Sequence, residues 1–263
     1  MFFPSVSIVI TTFNRKKYLE TVLPQYRKIN YPNYKIIVCD DCSTDGTQEY
    51  LKSNSYLYDS LFLSKVNLGV TNSRNQGVNR NPADFYALVD DDAVHDPNWL
   101  KEAISVLTTW HDIGAVTTQR PLYELLEKED ILSALDLQLI RKNDVKAMLV
   151  QFIGSCMLFS HEVWEKVGAM SSHPEKRCGI SRYSARISKA KYKVARTFPA
   201  YSESIDMPSH PLSLRFNDYN EGYTKVVAPA DMQTVDHYND GINRCIEFTK
   251  NHFINEDGLI IKK

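Results

Sequence analysis

The sequence has few of the features that mark secreted, membrane-spanning or strongly charged proteins. Its 263 residues include only five cysteines, and the formal net charge is −1. The cysteines are odd in number and irregularly spaced, which indicates a reducing compartment, and a charge near zero excludes a global field that attracts nucleic acid or membranes. No basic segment followed by an apolar one opens the chain, so we expect no signal peptide. The longest apolar stretch, residues 147–159, is interrupted by polar residues and is too short to cross a bilayer. We therefore expect a cytoplasmic protein, with peripheral membrane contact left open.

Glycine is scarce where several classes of nucleotide-binding enzyme need it. No G-x-G-x-x-G segment follows a predicted strand, which disfavours a dinucleotide-dependent oxidoreductase. The loop after the first strand, residues 11–15 (TTFNR), also has no glycine. This disfavours the glycine-rich, basic phosphate loop that is usual in nucleotidyltransferases.

Strand-like and helix-like segments alternate through the first half. Short apolar runs predict buried strands at residues 6–10, 34–38, 61–63 and 85–89, and each is followed by helical spacing, most clearly at 70–80 and 99–110. This alternation predicts an α/β fold with a mainly parallel sheet and helices on both faces. In such sheets, ligands bind outside the carboxyl ends of the strands.

The second half is less regular. Strands are predicted at residues 114–118, 152–159 and 192–198, and helices at 161–167 and 181–190. Residues 122–149 are charged and are expected to be partly helical. No clear period is present from residue 209 onward.

Three consecutive carboxylates, Asp90, Asp91 and Asp92, end the fourth predicted strand. Like charges repel and cannot be buried without a positive partner, and Mg²⁺ or Mn²⁺ would supply one, since both take carboxylate and phosphate oxygens. A second acidic cluster, Asp40 and Asp41, ends the second strand and would meet the first at the same edge of the sheet. The pattern favours a metal–phosphate site. The alternative is a solvated acidic turn that caps the next helix.

Five segments, in order, resemble motifs of the family 2 glycosyltransferases, which have the GT-A fold. They are residues 7–15 (SIVITTFNR), 40–47 (DDCSTDGT), 67–77 (NLGVTNSRNQG), 90–92 (DDD, similar to the family's DxD motif) and 154–170 (GSCMLF…VGAM). The resemblance covers roughly residues 4–200. It implies a Rossmann-like, mostly parallel sheet flanked by helices, with a smaller acceptor-side β region. It also implies one domain at residues 1–216, with a nucleotide-sugar half at about 1–118 and an acceptor half at about 119–216, followed by a packed tail at 217–263.

The resemblance implies an enzyme of EC 2.4 type that moves a sugar from a nucleotide-sugar, in first place a UDP-sugar, to a hydroxyl acceptor. The acceptor would belong to a glycan, a polyol phosphate, a lipid or a modified nucleic acid. Asp92 would be the main protein ligand to Mn²⁺ or Mg²⁺, with His210 as a further ligand and His237 as the alternative histidine. Asp41 would accept from the nucleobase edge and Arg74 would lie along the nucleotide, although Arg74 pairing with a surface acid is the alternative. The residues implied in nucleotide-sugar binding are Thr11, Phe13, Asn14, Arg15, Asp41, Arg74, Asp90 and Asp91.

The sequence departs from the family at the catalytic base. Counting back from residues 186–192 (RISKAKY), the acidic pair of inverting members falls on Gly179 and Ile180, which cannot take a proton. Glu175 is the expected substitute. His173, Glu203 and Asp206 are alternatives, as are a mechanism without a protein base and loss of activity. This departure keeps a nucleotide-sugar-binding module without catalysis as a rival function. A nucleotidyltransferase, disfavoured by the loop without glycine, is the other alternative.

Residues 176–196 form the one strongly basic region, with no acid among its eight cations: Lys176, Arg177, Arg182, Arg186, Lys189, Lys191, Lys193 and Arg196. One interpretation is a solvated helix face. The other is contact with an anionic acceptor, such as a phosphate polymer, a lipid headgroup or nucleic acid, which would weaken with salt.

Overall fold

The structure is a computed structural model that describes residues 3–118, 139–150, 153, 156–171, 179–197, 202–204, 252–254 and 260–262. Strands and helices alternate in the first half, as the apolar periodicity predicts. Its elements are β1 (Val6–Thr12), α1 (Lys16–Tyr26), β2 (Tyr34–Asp40), α2 (Thr47–Ser53), a 3₁₀ turn (Ser55–Leu57), β3 (Ser60–Leu63), α3 (Val70–Arg80), β4 (Phe85–Asp90), β5 (Ala93–His95) and α4 (Trp99–Thr109).

The described parts of the second half add further strands and two helices. They are β6 (Ile113–Thr117), β7 (Leu139–Lys142), β8 (Val145–Val150), β9 (Met157–Ser160), α5 (His161–Val167), α6 (Gly179–Lys189), β10 (Lys193–Thr197), β11 (Ser202–Ser204), β12 (His252–Ile254) and β13 (Ile260–Lys262). Among the described strands, β12 and β13 pair only with each other. The rest of the predicted tail lies outside the described residues, so the proposed domain boundaries stay predictions.

Residues 122–149 are expected to be partly helical, and the part of them that the structure describes is strand. Residues 139–150 form the antiparallel hairpin of β7 and β8, turning at Asn143 with a left-handed φ of 54°. Asparagine tolerates this conformation, and a two-residue loop of this kind joins antiparallel strands. Residues 122–138 lie outside the described part of the chain.

Within the described residues, nine strands form one sheet in the order β3-β2-β1-β4-β9-β6-β10-β8-β7. Strands β3, β2, β1 and β4 are parallel, and only β9 and β8 run against the direction of the others. The sheet is therefore mostly parallel, with helices on both faces. A separate two-stranded ribbon pairs β5 with β11 directly after the aspartate run.

Both faces of the central strands are buried, which explains their nearly continuous apolar sequences. On one face, Ile8 and Ile10 pack with α1 and α4 in one core cluster. On the other face, Val9 and Ile37 pack with residues of α3, α5 and α6. This layering fixes the carboxyl edge of β1, β2 and β4 as a rigid platform. No helix among the described residues is both long and apolar enough to cross a membrane.

Candidate functional site at the carboxyl edge of the sheet

The two acidic clusters converge on the end of β1. In the sheet register, Thr11 lies opposite Asp90 of β4, and Thr12 lies opposite Asp40 of β2. Parallel pairing thus brings the loop after β1 between the acids that end its two neighbours. This is the convergence that the strand-end pattern predicts.

Two arginines lie among the three consecutive aspartates. The Arg15 Nη2 atom is 3.1 Å from Asp92 Oδ2 and its Nε is 3.5 Å from Asp91 Oδ1, whereas the Arg74 Nη2 atom is 2.6 Å from Asp90 Oδ1. Asp91 and Asp92 are buried, and Asp90 is half-buried. The aspartates are therefore built into the protein rather than forming a solvated turn. The positive partner that the sequence requires is supplied at least in part by guanidinium groups.

The ion pair that Arg74 forms is not an ordinary surface ion pair. Arg74 is buried and forms its ion pair with the half-buried Asp90, so its partner is an acid of the aspartate run. Its Nε is buried and makes no hydrogen bond in the part of the chain that the structure describes. Such an unsatisfied donor is costly unless a ligand or water uses it. The predicted place of Arg74 along the nucleotide stays a prediction.

Asp41 fixes the loop that precedes α3. Its carboxylate accepts 2.7 Å hydrogen bonds from the backbone amides of Leu68 and Gly69. Gly69 has a φ of 80°, a conformation that glycine adopts without strain, and α3 begins at the next residue. Each carboxylate oxygen has a further lone pair, so the predicted contact of Asp41 with a nucleobase stays a prediction.

The loop after β1 is tied to the loop after β2. The Asn14 amide donates to Ser43 Oγ, and Asn14 Oδ1 accepts from the Thr44 amide, each at 2.8 Å. Asn14 itself is left-handed, with a φ of 53°. Phe13 is left 44% exposed at the tip. Asn14 thus shapes the loop, and Phe13 is an exposed aromatic side chain next to it.

Asp45 anchors the second of these loops. Burial alone would raise its pKa, but hydrogen bonds from the Thr47 hydroxyl and from the amides of Lys16 and Thr47 outweigh burial and lower the pKa. Asp45 therefore holds the start of α1 against the start of α2. This is a structural role rather than a chemical one.

Two residues that lie behind the aspartates, Tyr26 and His95, cannot be recognised from the sequence as part of the site. The Tyr26 hydroxyl donates to the carbonyl of Ala93, which directly follows Asp92, over 3.2 Å. Burial first, and then the charges of Cys156 and the three aspartates, raise the pKa of Tyr26 well above its ordinary value, so the phenol stays a donor. Tyr26 falls in the apolar stripe of α1 and reads in sequence only as core.

His95 lies where β5 meets the second half of the sheet. Its Nδ1 is 3.4 Å from Thr118 Oγ1, its Nε2 is 3.9 Å from Cys156 Sγ, and its ring lies 4.4 Å from that of Trp99. Burial lowers the pKa of His95 to about 3. The histidine is thus a neutral packing residue behind the aspartate run. Its place three residues after Asp92 is the only signal that the sequence offers.

The aspartate run has the donor chemistry that a hard divalent cation needs. No group of three or more metal-binding side chains comes together in the described ranges. A cation that keeps phosphate and water ligands needs only one or two protein carboxylates, however, and those of Asp90 and Asp92 provide such oxygens. The residues present therefore fit Mn²⁺ or Mg²⁺ bound together with a diphosphate.

Several predicted residues cannot be placed. Glu175 and His210 lie outside the described residues, as do His173, Asp206 and His237. Glu203 belongs to β11, whose backbone pairs opposite Val94. These assignments stay predictions.

Gly179, where the family's acidic pair would begin, is the first residue of α6 and packs against α3. A Cβ atom at this position would lie 2.7 Å from Thr71 Oγ1. Ile180 is buried in the apolar core. The departure from the family pattern is therefore built into the contact between two helices.

The basic region does not form one uniform surface. The Lys193 Nζ pairs with Asp112 at 2.8 Å, and Arg186 donates to the carbonyls of Val167 and Ala169 at the end of α5. Lys189 and Lys191 are exposed. Within the described part of this region, these two lysines are the exposed cations that form no ion pair with another described residue, and the half-buried Arg182 is a further candidate for contact with an anionic acceptor.

Comparison with known proteins shows which sequences this chain resembles. The sequence profile described as Glycosyl transferase family 2 matches residues 7–168. An uncharacterised glycosyltransferase of Haemophilus influenzae is 29% identical over 128 residues, which are 48% of this chain and 39% of that protein. The poly(ribitol-phosphate) β-N-acetylglucosaminyltransferase TarS of Staphylococcus aureus is 30% identical over 117 residues, which are 40% of this chain and 19% of TarS. These matches span less than two fifths of the relatives' own lengths.

The solved structures that share the fold include two glycosyltransferases with bound donors. The mannosyltransferase PcManGT of Pyrobaculum calidifontis, in complex with GDP-Man and Mn²⁺, has a TM-score of 0.58 at 16% identity, covering 95% of this chain and 75% of its own. S. aureus TarS 1–349, in complex with UDP-GlcNAc, has a TM-score of 0.57 at 13% identity, covering 92% of this chain and 81% of its own. The predicted GT-A-type α/β architecture is confirmed.

Proposed function

The chain belongs to glycosyl transferase family 2, and from this premise we propose that it transfers a sugar from a nucleotide-sugar to a hydroxyl acceptor with the help of Mn²⁺ or Mg²⁺. The acceptor hydroxyl belongs to a glycan, a polyol phosphate, a lipid or a modified nucleic acid. The observation that carries the proposal is the cluster of Asp90, Asp91 and Asp92 with Arg15 and Arg74. It lies at the carboxyl edge of the sheet, where α/β folds bind their ligands.

The donor in this proposal is a UDP-sugar. TarS, a sequence relative as well as a structural neighbour, has a structure with UDP-GlcNAc. PcManGT has one with GDP-Man, so GDP-sugars are the alternative that a test must include. In either case Phe13, Asn14 and Asp41 frame the nucleoside, and Thr11 lines the pocket from the strand end.

The chemistry follows from the charges at this edge. Displacement of a nucleoside diphosphate from the anomeric carbon builds negative charge on the leaving group. A divalent cation held by Asp92 supplies Lewis-acid stabilisation of that charge when it is bound. Arg74, fixed on Asp90, provides a further positive charge beside the diphosphate, and Asp90 and Asp91 face ribose and sugar hydroxyls.

The acceptor hydroxyl must lose a proton, and Glu175 is our proposed base. The packing of Gly179 against Thr71 crowds the position where the family's acidic pair would begin, so in this proposal the base comes from another part of the chain. Glu175→Gln should lower transfer to the acceptor by about 10²-fold while donor binding stays unchanged. Equal activity of the variant and the wild type would remove Glu175 from the mechanism.

An anionic acceptor is part of the proposal. Lys189 and Lys191, both exposed at the end of α6, are the residues that would meet it. If so, the double variant Lys189→Glu, Lys191→Glu should transfer sugar more slowly and with a weaker dependence on salt than the wild type. An unchanged salt dependence would instead make these lysines a solvated helix end.

The second candidate function is a binding module that keeps the nucleotide-sugar site but has lost catalysis. The observation that favours it is again Gly179, where a side chain able to take a proton is missing. Both functions predict metal-dependent binding of a nucleoside diphosphate. Only the transferase predicts turnover.

Turnover of a donor panel tests the proposal. The protein is mixed with UDP- and GDP-sugars, with Mn²⁺ or with a chelator, and release of nucleoside diphosphate is followed. Slow release from one donor that stops with the chelator supports the transferase and names its donor. Binding without release from any donor or acceptor supports the binding module, and absence of both would overturn the donor site.

A further inference from the structure

We propose that Arg15 is an exchangeable counter-ion. It pairs with Asp91 and Asp92 when no donor is bound, and it transfers to the donor's diphosphate when a divalent cation takes its place on Asp92. The inference rests on the proposed function, since it needs a cation and a diphosphate at this edge. It adds a reason why the cation and the nucleotide should bind together rather than one at a time.

The two arginines of the site are held differently. The Arg74 side chain is 6% exposed and makes a 2.6 Å ion pair, whereas the Arg15 side chain is 26% exposed and makes longer pairs of 3.1 and 3.5 Å. Arg15 is the residue directly before α1, and its guanidinium lies 4.6 Å from the centre of the Tyr18 ring. Because its side chain is more exposed and these ion pairs are longer, Arg15 is the arginine of the two that would change partner at the lower cost.

The positions of the charges make the exchange necessary. Asp92 Oδ2, the atom that accepts from Arg15 Nη2, is one of the two oxygens with which Asp92 can bind a cation. A guanidinium and a divalent cation a few ångströms apart repel strongly. Entry of the cation therefore weakens the hold of Asp92 on Arg15. A diphosphate arriving with the cation offers the guanidinium oxygens that it can bind in bidentate fashion.

The direct test is the binding of Mn²⁺ alone, measured through the electron paramagnetic resonance signal of the free ion. Arg15→Gln and Arg15→Met both remove the competing charge and keep a chain long enough to lie over Tyr18. Each should bind Mn²⁺ about two- to fivefold more tightly than the wild type, the factor expected for loss of a partly exposed ion pair. Two variants are used so that misfolding of one leaves the test intact.

Arg27→Gln is the matched control, because Arg27 pairs with Asp59 at 3.2 Å elsewhere on the domain. It should leave Mn²⁺ affinity unchanged. Unchanged or weaker Mn²⁺ binding in the Arg15 variants would overturn the exchange and leave the proposed function standing.

The second measurement is the gain in Mn²⁺ affinity on adding UDP, or GDP if the wild type prefers it. The gain should be large in the wild type and about tenfold smaller in Arg15→Gln, which has lost the bond to the diphosphate. An equal gain in both proteins would also contradict the exchange. If neither protein binds Mn²⁺, the metal-dependent function and the exchange fail together. If the Arg15 variants bind Mn²⁺ more tightly but no donor turns over, the exchange stands and transfer fails.

Discussion

Asn75 joins two motifs that lie 95 residues apart in sequence. Its side-chain Nδ2 donates to the backbone carbonyl of Met170 at 2.8 Å, and its Oδ1 accepts from the backbone amide of Met170 at 3.0 Å. Because Asn75 follows Arg74, this reciprocal pair fixes α3 against the loop that follows α5. Asn75→Ala should lower the free energy of unfolding by about 1–3 kcal/mol, the cost of losing two hydrogen bonds and leaving a partly buried amide unpaired.

Denaturant unfolding measures this effect, with Gln76→Ala as the control on the same helix. The control should change stability by less than about 0.5 kcal/mol. Equal stability of the two variants would mean that the Asn75 bonds contribute nothing net.

His95 predicts a dependence of stability on pH. The unfolded chain protonates this histidine near its ordinary pKa of about 6.5, whereas the folded protein protonates it only near about 3. Between these values the unfolded state binds a proton that the native state does not, so stability falls as pH falls below about 6.5. From pH 7 to 5.5 the loss from this residue is about 1 kcal/mol.

Unfolding free energies at pH 7, 6 and 5.5 test this prediction. His95→Gln should flatten the pH dependence by that amount, whereas His111→Gln, an exposed histidine, should leave it as in the wild type. The same slope in His95→Gln and the wild type would contradict the neutral, buried state of His95.

The sequence predicts which acids matter at the site but not what they contact. Asp41 and Asp90–Asp92 are recognisable because charge at the end of a buried strand is unusual and has a chemical reason. The pairing of Arg15 with the aspartates depends on two features that no local pattern encodes. These are the left-handed turn at Asn14 and the register of β1 with β4. Tyr26 contacts the Ala93 carbonyl of β5, and His95 of β5 contacts Thr118 and Cys156. These contacts are tertiary, and in sequence the two residues read as core or as turn.

Among the elements, α3 lies unusually close to the sheet at Gly77. A Cβ atom there would lie 2.4 Å from Val9 Cγ1 and 3.1 Å from Cys39 Sγ. Gly77→Ala should therefore destabilise the protein by about 1–3 kcal/mol through overpacking, despite the better helix propensity of alanine.

The matched test is a double-mutant cycle. Val9→Ala alone leaves a cavity, but in Gly77→Ala, Val9→Ala the new methyl group enters that space. The double variant should then be more stable than the sum of the single effects predicts, by at least about 0.5 kcal/mol. Strict additivity would show that the close approach of α3 is relieved in another way.

Elements with a strong period are those that the sequence predicts well. Helices α3, α4 and α5 and strands β1, β2 and β4 are found within two residues of their predicted ends, because both faces of the sheet demand apolar side chains. The hairpin of β7 and β8 was missed because its strands are short and charged and its turn is a single Asn-Asp pair. The short strands β5 and β11 were missed because pairing with a distant segment, rather than local propensity, makes them strands.

At the scale of the whole molecule, the two halves share one sheet. Strand β4 of the first half pairs with β9 of the second, and β9 pairs with β6. We therefore expect one cooperative unfolding transition. In the variant Trp164→Phe, tryptophan fluorescence reports only the first half, through Trp99 and Trp110. Its denaturant midpoint of unfolding should equal the midpoint from far-UV circular dichroism, which reports the whole chain. Two separated midpoints would show that the halves fold independently.

The central claim is that the aspartate run at the carboxyl edge supports donor turnover, and one rate comparison tests it most directly. Release of nucleoside diphosphate from the best donor with Mn²⁺ is measured for the wild type, for Asp92→Asn and for Asp112→Asn. The third protein loses a carboxylate whose partner is the exposed Lys193. Asp92→Asn should release diphosphate at least about 100-fold more slowly, since the amide holds a cation poorly, while Asp112→Asn keeps the wild-type rate. Wild-type release by Asp92→Asn, still dependent on Mn²⁺, would contradict the account.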